Sequence, residues 1–270
     1  MSKNSLKKFV IFGDPVEHSK SPQMQNAGFE DLSVSANYEK YHLTNGKLLK
    51  KTFLENNIDG ANITVPHKEE AFAQADEVVG LANKIGAVNT YIKKADKIIA
   101  YNTDAPGFMK AIEDFGKIKK VLILGAGGTA KAIAVALTEA GIKVTVVNRS
   151  KNRLDFFKEL GCKTFAWEAF TLDSFDLVVN STSAGLKDDE YPIDKRKLEN
   201  IFLNATFAFD CIYGKVTPFL AMAKKENLTV KDGEDMLLYQ GVFAFVLFTG
   251  QEPTDSTIDA MRAGLKVTKE

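Results

Sequence analysis

The chain has 270 residues, 45% hydrophobic and 26% charged, an ordinary balance for a globular protein and enough length for one large domain or two modest ones. Lys plus Arg and Asp plus Glu stand at 35 each, and a formal net charge of zero gives no support to nucleic-acid or membrane-surface binding. Neither Cys162 nor Cys211 has a metal-type spacing and there are three histidines, so no metal site is expected. Both thiols are expected to be buried and free, in a reducing, cytoplasmic setting, and the apolar stretch at 9–12 is too short for a signal-peptide core or a membrane span.

In chain order, residues 8–12 read as an apolar strand ended by Gly13-Asp14-Pro15. A helix over 23–32, a strand over 38–43, a helix over 47–56 and a strand over 60–65, stopped by Pro66, follow. Residues 87–92 and 97–101 resemble a hairpin. A helix is expected from Thr103-Asp104 to about residue 115, with Thr or Asp as its cap and Pro106 tolerated in its first turn. Residues 120–124, Lys-Val-Leu-Ile-Leu, are nearly all apolar, the pattern of a strand covered on both faces. A helix over 129–140 ends at Gly141, and strands are expected over 143–147, 176–180 and 207–212. A long apolar helix over 234–250 and an amphipathic one over 254–269 close the chain. This alternation predicts an α/β fold with mostly parallel sheets.

Gly125-Ala126-Gly127-Gly128-Thr129-Ala130 fits G-x-G-x-x-G/A directly after the buried strand and directly before a helix. Gly125 permits the tight turn, Gly127 lets a pyrophosphate approach the backbone, and Ala130 allows close helix–strand packing. The helix start then offers free N–H groups to phosphate. At the end of the next strand a dinucleotide domain selective for an unphosphorylated ribose carries an acid. This chain has Asn148-Arg149-Ser150 and Arg153 there, which suit a 2′-phosphate, so NADP is favoured over NAD.

The first half places small polar groups at strand ends: Ser19-Lys20-Ser21-Pro22, Asn62-Ile-Thr64-Val-Pro66-His67-Lys68, Gly86-Ala-Val-Asn89-Thr90 and Asn102-Thr103-Asp104. Hydroxyls, amides, one ammonium and one carboxylate suit a small polyhydroxylated anion. His67 is expected to point away from Lys68 and to be structural.

These segments, with the glycine turn, Asn148-Arg149-Ser150 and Asn180-Ser-Thr-Ser-Ala-Gly185, resemble the shikimate dehydrogenase family in order and over nearly the whole chain. The resemblance implies reversible NADPH-dependent reduction of 3-dehydroshikimate to shikimate in aromatic amino-acid biosynthesis. It implies a two-domain α/β fold, with a substrate domain over 1–103 completed by 240–270, where the last helix returns, and a Rossmann domain over 104–239. Ser19, Ser21, Thr64, Asn89, Tyr213 and Gln240 would bind substrate. Lys68 and Asp104 would form the catalytic pair, and Thr182, Ser183, Gly233 and Met236 would lie on the nicotinamide side, in a chain that is a monomer or homodimer.

Hydride addition to a ketone builds negative charge on oxygen, which a cation able to give up a proton meets. Lys68 is therefore the candidate acid and Asp104 its orienting partner. Ala105-Pro106 depart from the family's usual glycine after Asn-Thr-Asp, but are compatible with a helix start. Two other departures bear on the site. Asp235 stands where the family has glycine near the nicotinamide, and its charge is expected to crowd or repel the cofactor. The segment from Tyr213 to Pro218 is one residue short, which affects the role of Tyr213. An NAD-using quinate/shikimate dehydrogenase and a non-catalytic dinucleotide-sensing module are the alternative readings.

Overall fold

A computed structural model describes residues 6–267. The chain forms two compact units. One holds the described residues up to Gly107 together with those from Leu238 onward, and the other is Phe108–Leu237.

The first unit is built on six strands: β1 (Lys7–Gly13), β2 (Ala36–His42), β3 (Gly60–Ile63), β4 (Glu77–Val78), β5 (Thr90–Lys94) and β6 (Lys97–Tyr101), in the order β2-β1-β3-β5-β6-β4. Only β5 runs against its neighbours. Alternate side chains of β1 serve opposite faces, as a pleated strand requires. Val10 and Phe12 pack with Leu49, Phe53 and Tyr91. Phe9 packs at a tilt against Phe29 and Phe248, its ring centroid 4.6 Å from that of Phe248. Phe248 belongs to the helix Glu234–Thr249 and Phe29 to the helix Ser21–Asp31. The last helix, Asp255–Lys266, returns to this unit. Its Thr257 hydroxyl donates to Asp31 at 2.7 Å, and Lys20 donates to the Leu265 carbonyl at 2.8 Å.

The second unit has β7 (Lys120–Leu124), β8 (Lys143–Asn148), β9 (Lys163–Ala166), β10 (Leu177–Asn180), β11 (Phe207–Asp210) and β12 (Thr229–Lys231), all parallel in the order β12-β11-β10-β7-β8-β9. The apolar run of β7 divides by parity. Val121 and Ile123 join one core with Val144, Val146, Leu177 and Val179, while Leu122 and Leu124 join the other with Val147 and Val178. Both faces are covered, as expected of a strand apolar at every position after Lys120.

The structure corrects the reading in places. β3 ends at Ile63, and Thr64 lies in the turn that follows. β5 starts at Thr90, so residues 87–89 precede the hairpin. Cys162 is buried, but Cys211 is only partly so, and neither is in a disulfide. The short β4, β9 and β12 and the helices Lys68–Gln74, Ala82–Ile85, Asp155–Glu159, Lys195–Phe202 and Pro218–Lys225 were not anticipated. The end of the last predicted helix, from residue 268, lies outside the described residues. Among the described residues no helix is long and apolar enough to cross a membrane.

Candidate functional site

Sheet pairing gathers the polar residues of the first unit. Because β5 runs antiparallel between β3 and β6, its start lies beside the ends of both. Thr64 follows β3, Asn89 precedes β5, and Asn102-Thr103-Asp104 follows β6. Lys68 opens the helix Lys68–Gln74 and Asp104 opens the helix Asp104–Ala111. The Lys68 ammonium stands 2.6 Å from Asp104 Oδ2, with the two side chains 19% and 11% exposed. Asn89 Nδ2 donates to Asp104 Oδ1 at 2.9 Å and to Thr103 Oγ1 at 3.0 Å, and Asn89 Oδ1 accepts the Thr103 N–H at 2.8 Å. The cap of the second helix is neither Thr103 nor Asp104. Asn102 Oδ1 accepts the N–H of Asp104 at 3.1 Å and of Ala105 at 3.3 Å, and its Nδ2 donates to the Ala87 carbonyl. The amide wins because it sits two residues before the helix start, where a side-chain oxygen reaches the first free N–H groups.

The other predicted substrate residues of this unit occupy defined places. Ser19 and Ser21 are both buried, and Ser19 Oγ accepts the Ser21 N–H at 3.3 Å where the helix Ser21–Asp31 begins. Thr64 N–H donates to the Phe12 carbonyl at 2.8 Å. Gln240 lies where the helix Glu234–Thr249 crosses Gly107; a Cβ there would meet the Gln240 nitrogen at 2.8 Å, so only glycine lets the two helices come this close. His67 is buried, with Nε2 against the Leu43 carbonyl, in agreement with a structural role. His42 pairs with Asp14 at 2.7 Å, and that hydrogen bond raises its pKa.

In the second unit a cavity of about 350 Å³ opens over the ends of β7, β8 and β10. Gly125, Ala126, Gly127, Asn148, Arg149, Arg153, Thr182 and Ser183 all line it. Gly125 has φ +107°, and a Cβ there would meet Ser181 Oγ at 2.9 Å. Gly127 differs: its φ is −88° and a Cβ would meet nothing within 4 Å. Nothing in the protein requires glycine at Gly127, and the open space above it is a cradle that a side chain would fill. Gly127 also caps the helix Gly128–Glu139 with no side-chain hydrogen bond, and the first turn of that helix, Gly128-Thr129-Ala130, holds no acid. Its N–H groups and positive dipole end are left for an anion. Neither Arg149 nor Arg153 pairs with a carboxylate among the described residues, so two guanidinium groups stand ready at the β8 end. The residues present thus fit a dinucleotide with an additional phosphate.

Five readings are refined. Ser150 lies off the cavity lining, and its carbonyl accepts from Asn148 Nδ2 at 2.9 Å. Met236 is buried in the core with Phe209. Gly233 is explained by backbone packing, since a Cβ would sit 2.4 Å from the Cys211 carbonyl oxygen. Asp235, expected to crowd the cofactor, has its carboxylate 3.3 Å from Lys231 Nζ, which also pairs with Asp114 at 2.7 Å. The extra charge thus faces a cation that it shares with Asp114. Tyr213 is half-buried, burial raises its pKa, and the turn after it is closed by Gly214 N–H donating to Asp232 at 3.2 Å.

The sequence reading missed a buried network behind the cavity. Asn180 Oδ1 accepts the N–H and hydroxyl of Thr182 at 3.0 and 2.7 Å, and Asn180 Nδ2 donates to Asp210 at 3.1 Å. Asp210 also accepts from Thr217 at 2.6 Å, and burial raises its pKa. The signal was two polar residues ending apolar strands, Asn180 and Asp210. Trp167, Asp188, Glu190 and Tyr191, also on the lining, carried no motif. Asp188 is engaged by the N–H groups of Gly185 and Glu190, the former lowering its pKa most.

Three family models match in succession: shikimate dehydrogenase substrate binding domain over 11–91, shikimate / quinate 5-dehydrogenase over 109–210, and shikimate 5′-dehydrogenase C-terminal domain over 233–263. A shikimate dehydrogenase (NADP(+)) of Helicobacter hepaticus is 43% identical over 94% of this chain and 95% of the relative. One from Helicobacter pylori is 41% identical over 96% and 98%. The crystal structure of a Thermus thermophilus shikimate 5-dehydrogenase in complex with NADP(H) and shikimate aligns with a TM-score of 0.82 at 36% identity, over 96% of this chain and 99% of that one. The Aquifex aeolicus shikimate dehydrogenase aligns with a TM-score of 0.86 at 31% identity, over 99% and 100%. By identity and coverage alike, the chain belongs to the shikimate dehydrogenase family.

Proposed function

We propose that the chain is an NADP-dependent shikimate dehydrogenase of the cytoplasm, reducing 3-dehydroshikimate reversibly to shikimate. The observation that carries the chemistry is the Lys68–Asp104 ion pair, held on its second oxygen by Asn89. Substrate belongs to the unit that contains Lys68, with Ser19, Ser21, Thr64, Asn89 and Gln240 as its polar contacts. The dinucleotide belongs to Phe108–Leu237, where the turn Gly125–Ala130 takes its pyrophosphate and Arg149 with Arg153 take its 2′-phosphate.

When bound, the nicotinamide supplies a hydride to the ketone carbon or takes it back. Lys68 stabilises the growing negative charge on the ketone oxygen and gives that oxygen a proton from Nζ. In the reverse direction the Lys68 amine receives the hydroxyl proton. Asp104 holds the lysine in place and accepts from a substrate hydroxyl. Thr182, fixed through Asn180, lies with Ser183 toward the nicotinamide side.

Following NADP reduction with shikimate tests the proposal, with wild type and Lys68→Ala side by side. Quinate and NAD as alternative reactants separate it from an NAD-using quinate enzyme. Dinucleotide binding without any shikimate oxidation would instead favour a sensing module.

A further inference from the structure

Trp167 is the single tryptophan of the chain. It immediately follows β9, in which Ala166 is in register with Asn148 of β8. Trp167 therefore stands beside Arg149 at the carboxyl edge of the sheet. It is two strands from the glycine turn, roughly 10 Å across the sheet. It lines the same cavity as Gly127, Arg149 and Arg153. The ring is half-buried against the core that contains Val147 and Phe170. Its backbone carbonyl accepts from Lys197 Nζ at 2.8 Å, which holds the residue in place.

Packing alone does not account for an indole here. Its Nε1–H is buried with no hydrogen-bond partner among the described residues. A buried donor left unpaired is destabilising, and a phenyl ring would fill the space without one. What an indole adds is a broad aromatic face, and a purine stacks on such a face whatever its edge. The pyrophosphate seat lies after β7 and the two guanidinium groups after β8. A nucleotide laid along this line brings its base to the β9 end.

We infer that Trp167 is the platform on which the adenine of the dinucleotide stacks, a binding residue for the base beside the phosphate-reading Arg149 and Arg153. The inference rests on the dinucleotide reading of this cavity. It makes the one tryptophan a built-in reporter of occupancy.

The test uses adenosine 2′,5′-bisphosphate, which has the adenine and the 2′-phosphate but no nicotinamide. Titrated into the wild-type protein, it should change the tryptophan emission saturably and shield it from acrylamide. By calorimetry, Trp167→Leu should weaken NADP+, NAD+ and the bisphosphate alike by about tenfold or more, while Trp167→Phe restores most of the affinity. Unchanged emission at a concentration where calorimetry shows the site filled would overturn the inference. So would wild-type affinity in a Trp167→Leu protein that melts like the wild type. Should Trp167→Leu not fold, the wild-type emission decides alone. If NADP+ gave no binding heat with the wild type, the dinucleotide reading itself would fall, and the inference with it.

Discussion

Lys68 Nζ and Asp104 Oδ2 stand 2.6 Å apart, while the other carboxylate oxygen accepts from Asn89 Nδ2 at 2.9 Å. Engaging both oxygens leaves the carboxylate little freedom to turn, so the lysine it holds has a defined position. Such positioning is what a proton donor at a reacting centre needs.

Lys68→Ala should lower kcat/KM for shikimate by about 10²–10⁴-fold. NADP+ affinity, measured by calorimetry, should not change. Near-normal turnover of this variant would remove Lys68 from the proposed chemistry.

Asn89→Ala should cost both activity and stability. The substitution leaves the Thr103 N–H and one Asp104 oxygen without their partner. Leaving buried polar groups unpaired costs about 1–3 kcal/mol. Urea unfolding would read the stability loss. A kcat that falls while KM moves little would show that the pair is misaligned rather than the substrate lost.

Two glycines of the turn should behave differently. Gly125→Ala forces a side chain into a positive-φ backbone and against Ser181, and should destabilise by about 1–3 kcal/mol. Gly127→Ala meets nothing in the protein. Its stability cost should be about 1 kcal/mol or less, yet NADP+ binding should weaken. Melting curves paired with binding titrations separate the two, and equal melting losses would count against the cradle.

Arg149→Ala and Arg153→Ala should each lower NADP+ affinity by roughly 10- to 100-fold, the worth of a hydrogen bond to a charged group. NAD+, without the 2′-phosphate, should be affected far less. A parallel loss for both dinucleotides would place the arginines elsewhere on the ligand.

Asp210 predicts a pH effect. Burial raises its pKa above the ordinary 3.8, outweighing the bonds from Thr217, Ile212 and Asn180. The native state then holds this proton to higher pH than the unfolded chain does. Its contribution is fully present below the unfolded pKa and is lost as pH rises through the native one. Asp210→Asn keeps the shape without the titration. Unfolding measured from about pH 4 to pH 7 should show the variant gaining on the wild type as pH rises, then levelling off. A difference that ignores pH would contradict the assignment.

Sequence alone determined what depends on neighbours along the chain. A nearly all-apolar strand, a glycine turn and a helix start announced the dinucleotide seat, because turn geometry and two-sided burial leave local marks. Arg149 and Arg153 announced the phosphate by residue type. Lys68, Asn89 and Asp104 were legible as chemistry, but not as a constellation. Only the pairing of antiparallel β5 between β3 and β6 brought three distant segments to one edge. The tertiary structure alone brought Asp114 to Lys231 and set Trp167 beside Arg149 through the register of a four-residue strand. Strands that short carry too few residues to show a period, and a cross-strand register is written in contacts between segments rather than within either of them.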